Sequence, residues 1–354
     1  MENLVIDPLF WKDRKVFITG HTGFKGSWLS LWLQEMKANV FGLSLSPPKK
    51  PNLFHEARVS DNMVSIEGDI RNYEIVNRTI LETKPEVVIH MAAQSLVRYS
   101  YQNPIETYAT NVMGTLNVLE SLRKVSSVKA VINVTSDKCY ENKEMTEPFK
   151  EEAPMGGYDP YSSSKGCSEL LTNSFRRSFY EKSRIALASV RSGNVIGGGD
   201  WSDDRLIPDI IRAFEKNYTA LIRFPNAIRP WQHVLEPLSG YLILAEKLFQ
   251  KGQIYAGAWN FGPNDNDAKQ VQWIVKHMAE LWGKGATWKL DTNDHPHEAN
   301  YLKLDCTKSK TYLDWSPSLN LEQALEMVVS WYDTFLTKKD IRTFTLKQIQ
   351  SFNK

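Results

Sequence analysis

Through the first half of the chain, short apolar runs alternate with longer stretches whose apolar residues recur at helical spacing. The runs fall at Val16–Thr19, Asn39–Leu45, Met63–Glu67, Glu86–Met91, Lys129–Thr135 and Ile185–Val190, each of strand length. The intervening stretches, Ser27–Met36, Tyr73–Glu82, Ile105–Arg123 and Tyr161–Tyr180, predict helices, the first of them amphipathic. Strands apolar at nearly every position, each followed by a helix, predict a parallel sheet covered on both faces: a doubly wound α/β fold.

After about residue 195 the rhythm breaks. Gly197-Gly198-Gly199 leads into a predicted helix at Leu206–Glu215, then into shorter pieces rich in Pro, Arg and Trp. Gly257–Gly262 reads as a buried strand returning to the main sheet, and Leu319–Leu336 as a late amphipathic helix. The pattern divides the chain into a nucleotide-binding core, residues 1–194 completed by about 235–262, and a smaller, interleaved C-terminal substrate domain at 195–234 and 263–354. No internal repeat and no low-complexity tract is present.

A chain of 354 residues, 42% of them hydrophobic, is long enough to bury a large core. Its 43 basic and 41 acidic residues balance to +2, which gives no electrostatic case for a nucleic-acid partner. Cys139, Cys167 and Cys306 form neither a disulfide framework nor a zinc pattern, as in a reducing, cytoplasmic compartment. The N-terminus lacks a basic-then-apolar leader and no stretch reaches 18 apolar residues, so neither a signal peptide nor a membrane partner is expected.

Candidate chemistry begins where the first strand meets the first helix, at Gly20-His21-Thr22-Gly23-Phe24-Lys25-Gly26. Glycines there allow a tight turn and close backbone approach, and the helix N-terminus offers N–H groups to a diphosphate, as in Rossmann-type dinucleotide sites. His21 and Lys25 are candidates to bond or neutralise cofactor phosphates. Asp69-Ile70 after the third strand stands where a carboxylate meets an adenine, Ala92-Ala93-Gln94 follows the fourth strand with small residues suited to a flat ligand, and Asn111 lies in the next helix. The second strand ends Ser44-Leu45-Ser46, without the acid that usually binds a ribose diol, so spacing leaves NAD and NADP open.

Tyr161 and Lys165 are four residues apart, on one helical face, where an ammonium can lower a phenol's pKa and make it a base. About two dozen residues upstream, Ser136-Asp137-Lys138 adds a second acid/base set at the carboxyl end of a parallel strand, more than hydride transfer requires. Asp294-His-Pro-His-Glu298 superficially offers metal ligands, but with no second cluster it reads as a turn or lid, and no metal is expected.

The glycine loop, the Ala92-Ala93 pair, the Ser-Asp-Lys triplet and the Tyr-x-x-x-Lys, in this order, resemble the extended short-chain dehydrogenase/reductase superfamily over nearly the whole chain. Within it, Gly20–Trp28, Thr135–Tyr140, Arg191–Trp201, Arg205–Asp209 and Arg229–His233 are similar to the CDP-glucose 4,6-dehydratases. The resemblance implies tightly held NAD, a CDP-glucose substrate and a redox-neutral cycle that feeds deoxysugar and O-antigen biosynthesis. Tyr161 would take the C4 hydroxyl proton, Lys165 would anchor the nicotinamide ribose and depress the tyrosine pKa, and Ser136 would bond the same oxygen. Asp137 would be the acid for the departing C6 hydroxyl. Lys138, where dTDP-glucose dehydratases carry Glu, would act at C5 as a neutral base, at a cost of about 1.4 kcal/mol per pKa unit, or as a charged stabiliser of the enolate.

A sugar nucleotide's diphosphate needs donors, for which Arg229, His233 and Arg205 are candidates, with Asn194 on the sugar-phosphate side. Trp201, Trp231, Trp259 and Trp315 are candidates to stack on a base, although tryptophans more often fill core. In the resembled superfamily the helices at Ile105–Arg123 and Tyr161–Tyr180 pair across a two-fold axis, so a homodimer is expected. Two alternatives remain: an epimerase or reductase, which needs no Asp137-Lys138 set, and a dinucleotide-binding sensor, which needs no proton-transfer groups.

Overall fold

The computed structural model describes residues 6–47, 50–143, 146–293 and 301–353. Each predicted run is a strand: β1 (Lys15–Thr19), β2 (Asn39–Ser44), β3 (Val64–Glu67), β4 (Val87–His90), β5 (Ala130–Val134) and β6 (Ala186–Ser192). Three short strands follow, β7 (Asn194–Ile196), β8 (Ala220–Ile222) and β9 (Ile228–His233), then β10 (Gly257–Phe261), β11 (Ala268–Gln270) and β12 (Trp288–Leu290). The main sheet runs β10-β6-β5-β4-β1-β2-β3 with every pair parallel. Strand order reverses between β1 and β4, and such a switch point opens a crevice at the carboxyl ends of the strands.

β1, β4, β5 and β6 are buried almost throughout, as double coverage demands. β3 departs from that expectation. It is the sheet's edge, and Val64 and Glu67 face solvent.

The helix expected to be amphipathic at Ser27–Met36 spans Phe24–Glu35, and every residue from Gly26 to Leu33 is buried. It has no solvent face, because the C-terminal helix Ile341–Phe352 covers its outer side, with Trp32 edge-on to Phe352 at 5.7 Å between ring centroids. The stretch Ile105–Arg123 is a helix at Pro104–Tyr108 and another at Gly114–Leu122, joined by a π-helical turn over Ala109–Met113. Helix Pro160–Phe175 begins at Asp159, whose carboxylate accepts from the Ser162 N–H at 2.9 Å. Leu206–Glu215 is helical as expected.

Sequence reading passed over the longest helix, Leu235–Lys251, which lies between the β5–β6 face of the sheet and the C-terminal segments. It carries two buried carboxyl groups. Glu246 accepts from Trp11 Nε1 at 2.7 Å and from the Asp7 N–H at 3.2 Å. Glu236 accepts from the Ser318 and Leu319 N–H groups at 2.9 and 2.6 Å through one oxygen, while the other has no partner among the described residues. The remaining strands form two small sheets, β11-β9-β7 and β12-β8, which stand over the carboxyl ends of the main strands.

Burial pushes both carboxyls from an ordinary 4.5 up to about 7. A group with a raised folded-state pKa contributes stability that is complete below its unfolded value and is lost as pH rises through the folded one. Melting temperature is therefore expected to fall between about pH 4.5 and 7 on account of these two groups, and Glu246→Gln is expected to flatten part of that fall in thermal melts across the range. An unchanged slope would show that Glu246 keeps an ordinary pKa.

Candidate active site

The glycine loop shows why its residues are small. Gly20 has φ +78°, and a Cβ on it would stand 2.8 Å from the Ala92 backbone; a Cβ on Gly26 would stand 2.1 Å from the Gly20 carbonyl. Gly23 caps helix Phe24–Glu35 without a side chain, so the first-turn N–H groups face the crevice with no side-chain acceptor. A cradle closed to any side chain but open to an anion at a helix N-terminus fits a dinucleotide. At the end of β2, where the ribose acid is missing, Ser44 Oγ lies 2.7 Å from Thr22 Oγ1, which donates to the Leu45 carbonyl at 2.9 Å.

The other expected cofactor residues divide. Phe24, Lys25 and Ala93 line the cleft, and Ala92 is half-buried beside them. Burial, with the nearby Lys165 and Arg205 charges, pushes the Lys25 amine down to about 7, against the pull of Asp137. Asn111 is buried in the π-helical turn and holds Gln94 from both sides, accepting from its N–H and donating to its carbonyl, each at 2.9 Å. The Gln94 side chain turns back to Thr107 and Leu96. Asp69 spends its carboxylate on Arg71, and Ile70 is buried against Gly114, where a Cβ would meet it at 2.5 Å.

Two histidines correct their expectations. His21 is fully buried with Nε2 at 2.7 Å from Ser65 Oγ and its ring over Gly42. Burial pushes it down to about 4, so its imidazole is a neutral packing group and not a phosphate contact. His233 is likewise enclosed, edge-on to Trp28 at 5.8 Å, and burial pushes it down to about 3. It supports the glycine-loop helix and does not line the cleft.

Ser136, Asp137, Lys138, Tyr161 and Lys165 converge on one cleft with Asn194, Arg205 and Arg229. Ser136 caps a 3₁₀ turn over Asp137–Cys139, accepting from the Lys138 N–H at 3.2 Å and donating to Asp137 Oδ1 at 3.0 Å. Asp137 is buried, and Oδ2 has no partner among the described residues. Burial raises its pKa, against the opposing pull of Lys138, Ser136 and Arg229, as a general acid requires. Lys138 is half-buried beside it.

Burial pushes the Tyr161 phenol up to about 12, opposed by the Ser136 hydrogen bond. This reverses the depression expected from Lys165, whose Nζ donates to the Val134 carbonyl at 3.3 Å at the back of the cleft and is itself pushed by burial down to about 8. Arg205 is paired with Asp200 at 3.0 Å and donates to Ser95 Oγ at 2.9 Å. Sequence reading missed Arg98, on the short helix Val97–Gln102, and Arg223, in a loop, which line the mouth and share Asp204 at 3.5 and 3.2 Å; a lone arginine carries no pattern that would single it out. Trp231 lines the cleft, whereas Trp259 and Trp315 are core and Trp201 packs on Trp331, Tyr332 and Phe335. Asp294–Glu298 lies outside the described residues, and among those described no group of metal-ligating side chains occurs.

The same helix and strand carry a second element that periodicity did not reveal. Glu169, one turn beyond Lys165, accepts from Arg191 Nε at 2.9 Å and Arg191 NH2 at 2.8 Å, from Thr135 Oγ1 at 2.5 Å and from Ser189 Oγ at 2.7 Å. Arg191 also donates to Tyr140 Oη at 2.7 Å and the Glu151 carbonyl at 2.9 Å. Burial alone would raise the Glu169 carboxyl; the Arg191 guanidinium and the two hydroxyls outweigh it and hold the group below its ordinary value.

A family profile described as GDP-mannose 4,6 dehydratase matches residues 17–328. The CDP-glucose 4,6-dehydratase of Salmonella typhimurium is 54% identical over 353 residues, covering 98% of each chain. The dTDP-glucose 4,6-dehydratase of Haemophilus influenzae is 25% identical over 90% of this chain and 97% of its own. Among solved structures, an epimerase from Methanothermobacter thermautotrophicus superposes with a TM-score of 0.80 at 24% identity, over 96% of this chain and 97% of its own. A dTDP-glucose 4,6-dehydratase from Bacillus anthracis in complex with NAD does so at 0.74 and 23%, over 91% and 97%. These two share the fold.

Glu169→Met or Arg191→Met alone leaves a buried charge unpaired and is expected to cost about 3–5 kcal/mol of stability. The double variant is expected to lose clearly less than the sum in denaturant melts. Additive losses would mean that the two groups are not coupled.

Proposed function

Since the chain belongs to the GDP-mannose 4,6-dehydratase family, we propose that it is a lyase converting CDP-D-glucose to CDP-4-dehydro-6-deoxy-D-glucose and water, with NAD as resident cofactor. One observation carries the reading: a buried carboxyl with a raised pKa, Asp137, shares a cleft with the Tyr161–Lys165 pair. An epimerase or a reductase needs the pair and not the acid, and a sensor needs neither. CDP as the carrier rests on the 54% identity to the Salmonella enzyme.

The loop Gly20–Gly26, Ala92, Ala93 and Asn111 would hold NAD, and when bound NAD supplies a hydride acceptor at C4 and a donor at C6. Tyr161, one helical turn before Lys165, takes the proton from the sugar 4-hydroxyl. The resulting 4-ketone acidifies the C5 hydrogen, because the carbanion left behind is an enolate. Lys138 acts on that side, while Asp137 protonates the C6 hydroxyl so that it leaves as water. Asn194, Arg205 and Arg229 hold the diphosphate, guanidinium groups being suited to bidentate phosphate contact. Two electrons leave C4 and two arrive at C6, and as they arrive a proton replaces the one removed from C5, so nothing is consumed but the substrate and nothing is released but water.

The enzyme acts in this proposal as a cytoplasmic homodimer. Three free thiols agree with that compartment. Ile105, Tyr108, Met113 and Leu170, on the helices expected to pair, are apolar and exposed. Leu170→Glu is expected to shift the sedimentation of the protein from dimer to monomer; a wild-type monomer at micromolar concentration would rule the pairing out.

Incubation of the NAD-loaded protein with CDP-, dTDP-, UDP- and GDP-glucose is expected to yield the alkaline absorbance of a 4-keto-6-deoxy sugar with CDP-glucose foremost. No such product from any of the four would sink the dehydratase reading. Asp137→Asn is expected to lower turnover by about 10²–10⁴-fold while nicotinamide reduction by the substrate persists. Lys138→Arg separates two roles: retained turnover indicates a charge that stabilises the enolate, and its loss indicates an amine that takes the C5 proton.

A further inference from the structure

Behind the cleft, a run of buried side-chain hydrogen bonds joins two strand ends to two helices, with His90 at its centre. His90 closes β4 directly opposite Thr19, the last residue of β1, and both are buried. Thr19 Oγ1 accepts from the Ala92 N–H at 3.1 Å and shares the Met91 N–H, also at 3.1 Å, with the Thr19 carbonyl at 3.2 Å. Its remaining neighbour, at 2.6 Å, is His90 Nδ1; at the other ring nitrogen the Thr115 hydroxyl, 3.0 Å from Nε2, gives its single hydrogen to the Asn111 carbonyl and so can only accept from the ring. Nδ1 therefore accepts, and the ring proton resides on Nε2.

From there every donor points the same way. His90 Nε2–H meets Thr115 Oγ1 at 3.0 Å, and the Thr115 hydroxyl donates to the Asn111 carbonyl at 2.7 Å. The Asn111 amide donates to Ser164 Oγ at 2.8 Å, and Ser164 donates to the Tyr161 carbonyl at 2.7 Å. A protonated His90 would set Nδ1–H against the Thr19 hydroxyl, two donors facing each other in a site closed to water. Burial, with the Lys165 charge second, pushes the imidazole down to about 3, in line with that geometry.

We propose that His90, held as the Nε2–H tautomer, is a positioning residue that ties the wall of the dinucleotide loop to the helix carrying Tyr161. Its reach is set by what the chain fixes at each end. At one end Thr19 holds the Met91–Ala92 backbone against Gly20, and at the other Asn111 and Ser164 hold the first turn of helix Pro160–Phe175. His90 itself does not line the cleft, so it acts through these neighbours and not on the substrate. Only the effect on NAD rests on the proposed function; the tautomer does not.

Nitrogen-15 spectra of histidine-labelled protein, with His90 assigned by its loss in His90→Gln, are expected to show a protonated Nε2 and an unprotonated Nδ1 that stay so between about pH 5 and 8. Thr115→Val removes the acceptor at Nε2 and is expected to mix the two tautomers and weaken NAD binding about tenfold, the worth of one buried hydrogen bond. An Nδ1–H tautomer or a ring that titrates in that range would overturn the proposal, as would unaltered NAD affinity in a folded Thr115→Val protein. If that variant does not fold, the wild-type spectrum decides alone. A wild-type protein that binds no NAD yet shows the Nε2–H tautomer would count against the dinucleotide reading and leave the histidine lock standing.

Discussion

The bidentate pairing of Glu169 with Arg191 is the contact on which the geometry of the cleft depends. Glu169 lies on the helix that presents Tyr161 and Lys165, and Thr135, which donates to it, precedes the Ser136-Asp137-Lys138 turn by one residue. The Tyr161–Lys165 helix and the Ser136–Lys138 turn are therefore fastened to each other through one carboxylate. A buried ion pair gains little net stability over an apolar contact. What it gives instead is a directional join, because a planar guanidinium and a carboxylate fit in one orientation. Arg191 extends the join to Tyr140, which bonds Asn260 on β10, so the last strand of the sheet is held in the same lattice.

Close packing completes what the ion pair begins. Gly166 follows Lys165, and a Cβ there would stand 2.6 Å from the Gly156 carbonyl and 3.3 Å from that of Cys139. The turn that carries Asp137 thus rests directly on the helix that carries Tyr161. This enclosure is also what shifts the site's proton affinities: Asp137 is raised, Lys165 lowered and Tyr161 raised, each by burial before any partner acts. The same loss of water that costs these groups their ordinary pKa values shifts Asp137 toward its protonated form.

Much of the fold was legible because strand burial is written in single residues. β1, β4, β5 and β6 need apolar side chains on both faces, and a run of Val, Ile and Leu says so without reference to anything distant. The glycine loop was legible for a similar reason, since its demand for no Cβ is local. Where the reading failed, a partner far along the chain decided the outcome. Ser27–Met36 lost its expected solvent face to a helix more than 300 residues later, and the helix Leu235–Lys251 went unread amid Pro, Arg and Trp. His21 and His233 carry the residue type of phosphate ligands, yet one packs over β2 and the other under Trp28.

The alternation of apolar runs with helical stretches determined by itself the fold class, and the order of motifs, from glycine loop to Ser-Asp-Lys to Tyr-x-x-x-Lys, the surplus of acid and base that separates water elimination from simple oxidation. Which charges face each other was settled only by the tertiary structure. The Asp137 pKa is raised because the sheet and the Tyr161 helix exclude water from it, Lys165 turns to the Val134 carbonyl, and His90 keeps one tautomer because the Thr115 hydroxyl gives its hydrogen to the Asn111 carbonyl. Proton placement depends on solvent exclusion and on partners dozens of residues apart, and neither is a property of any stretch of sequence read alone.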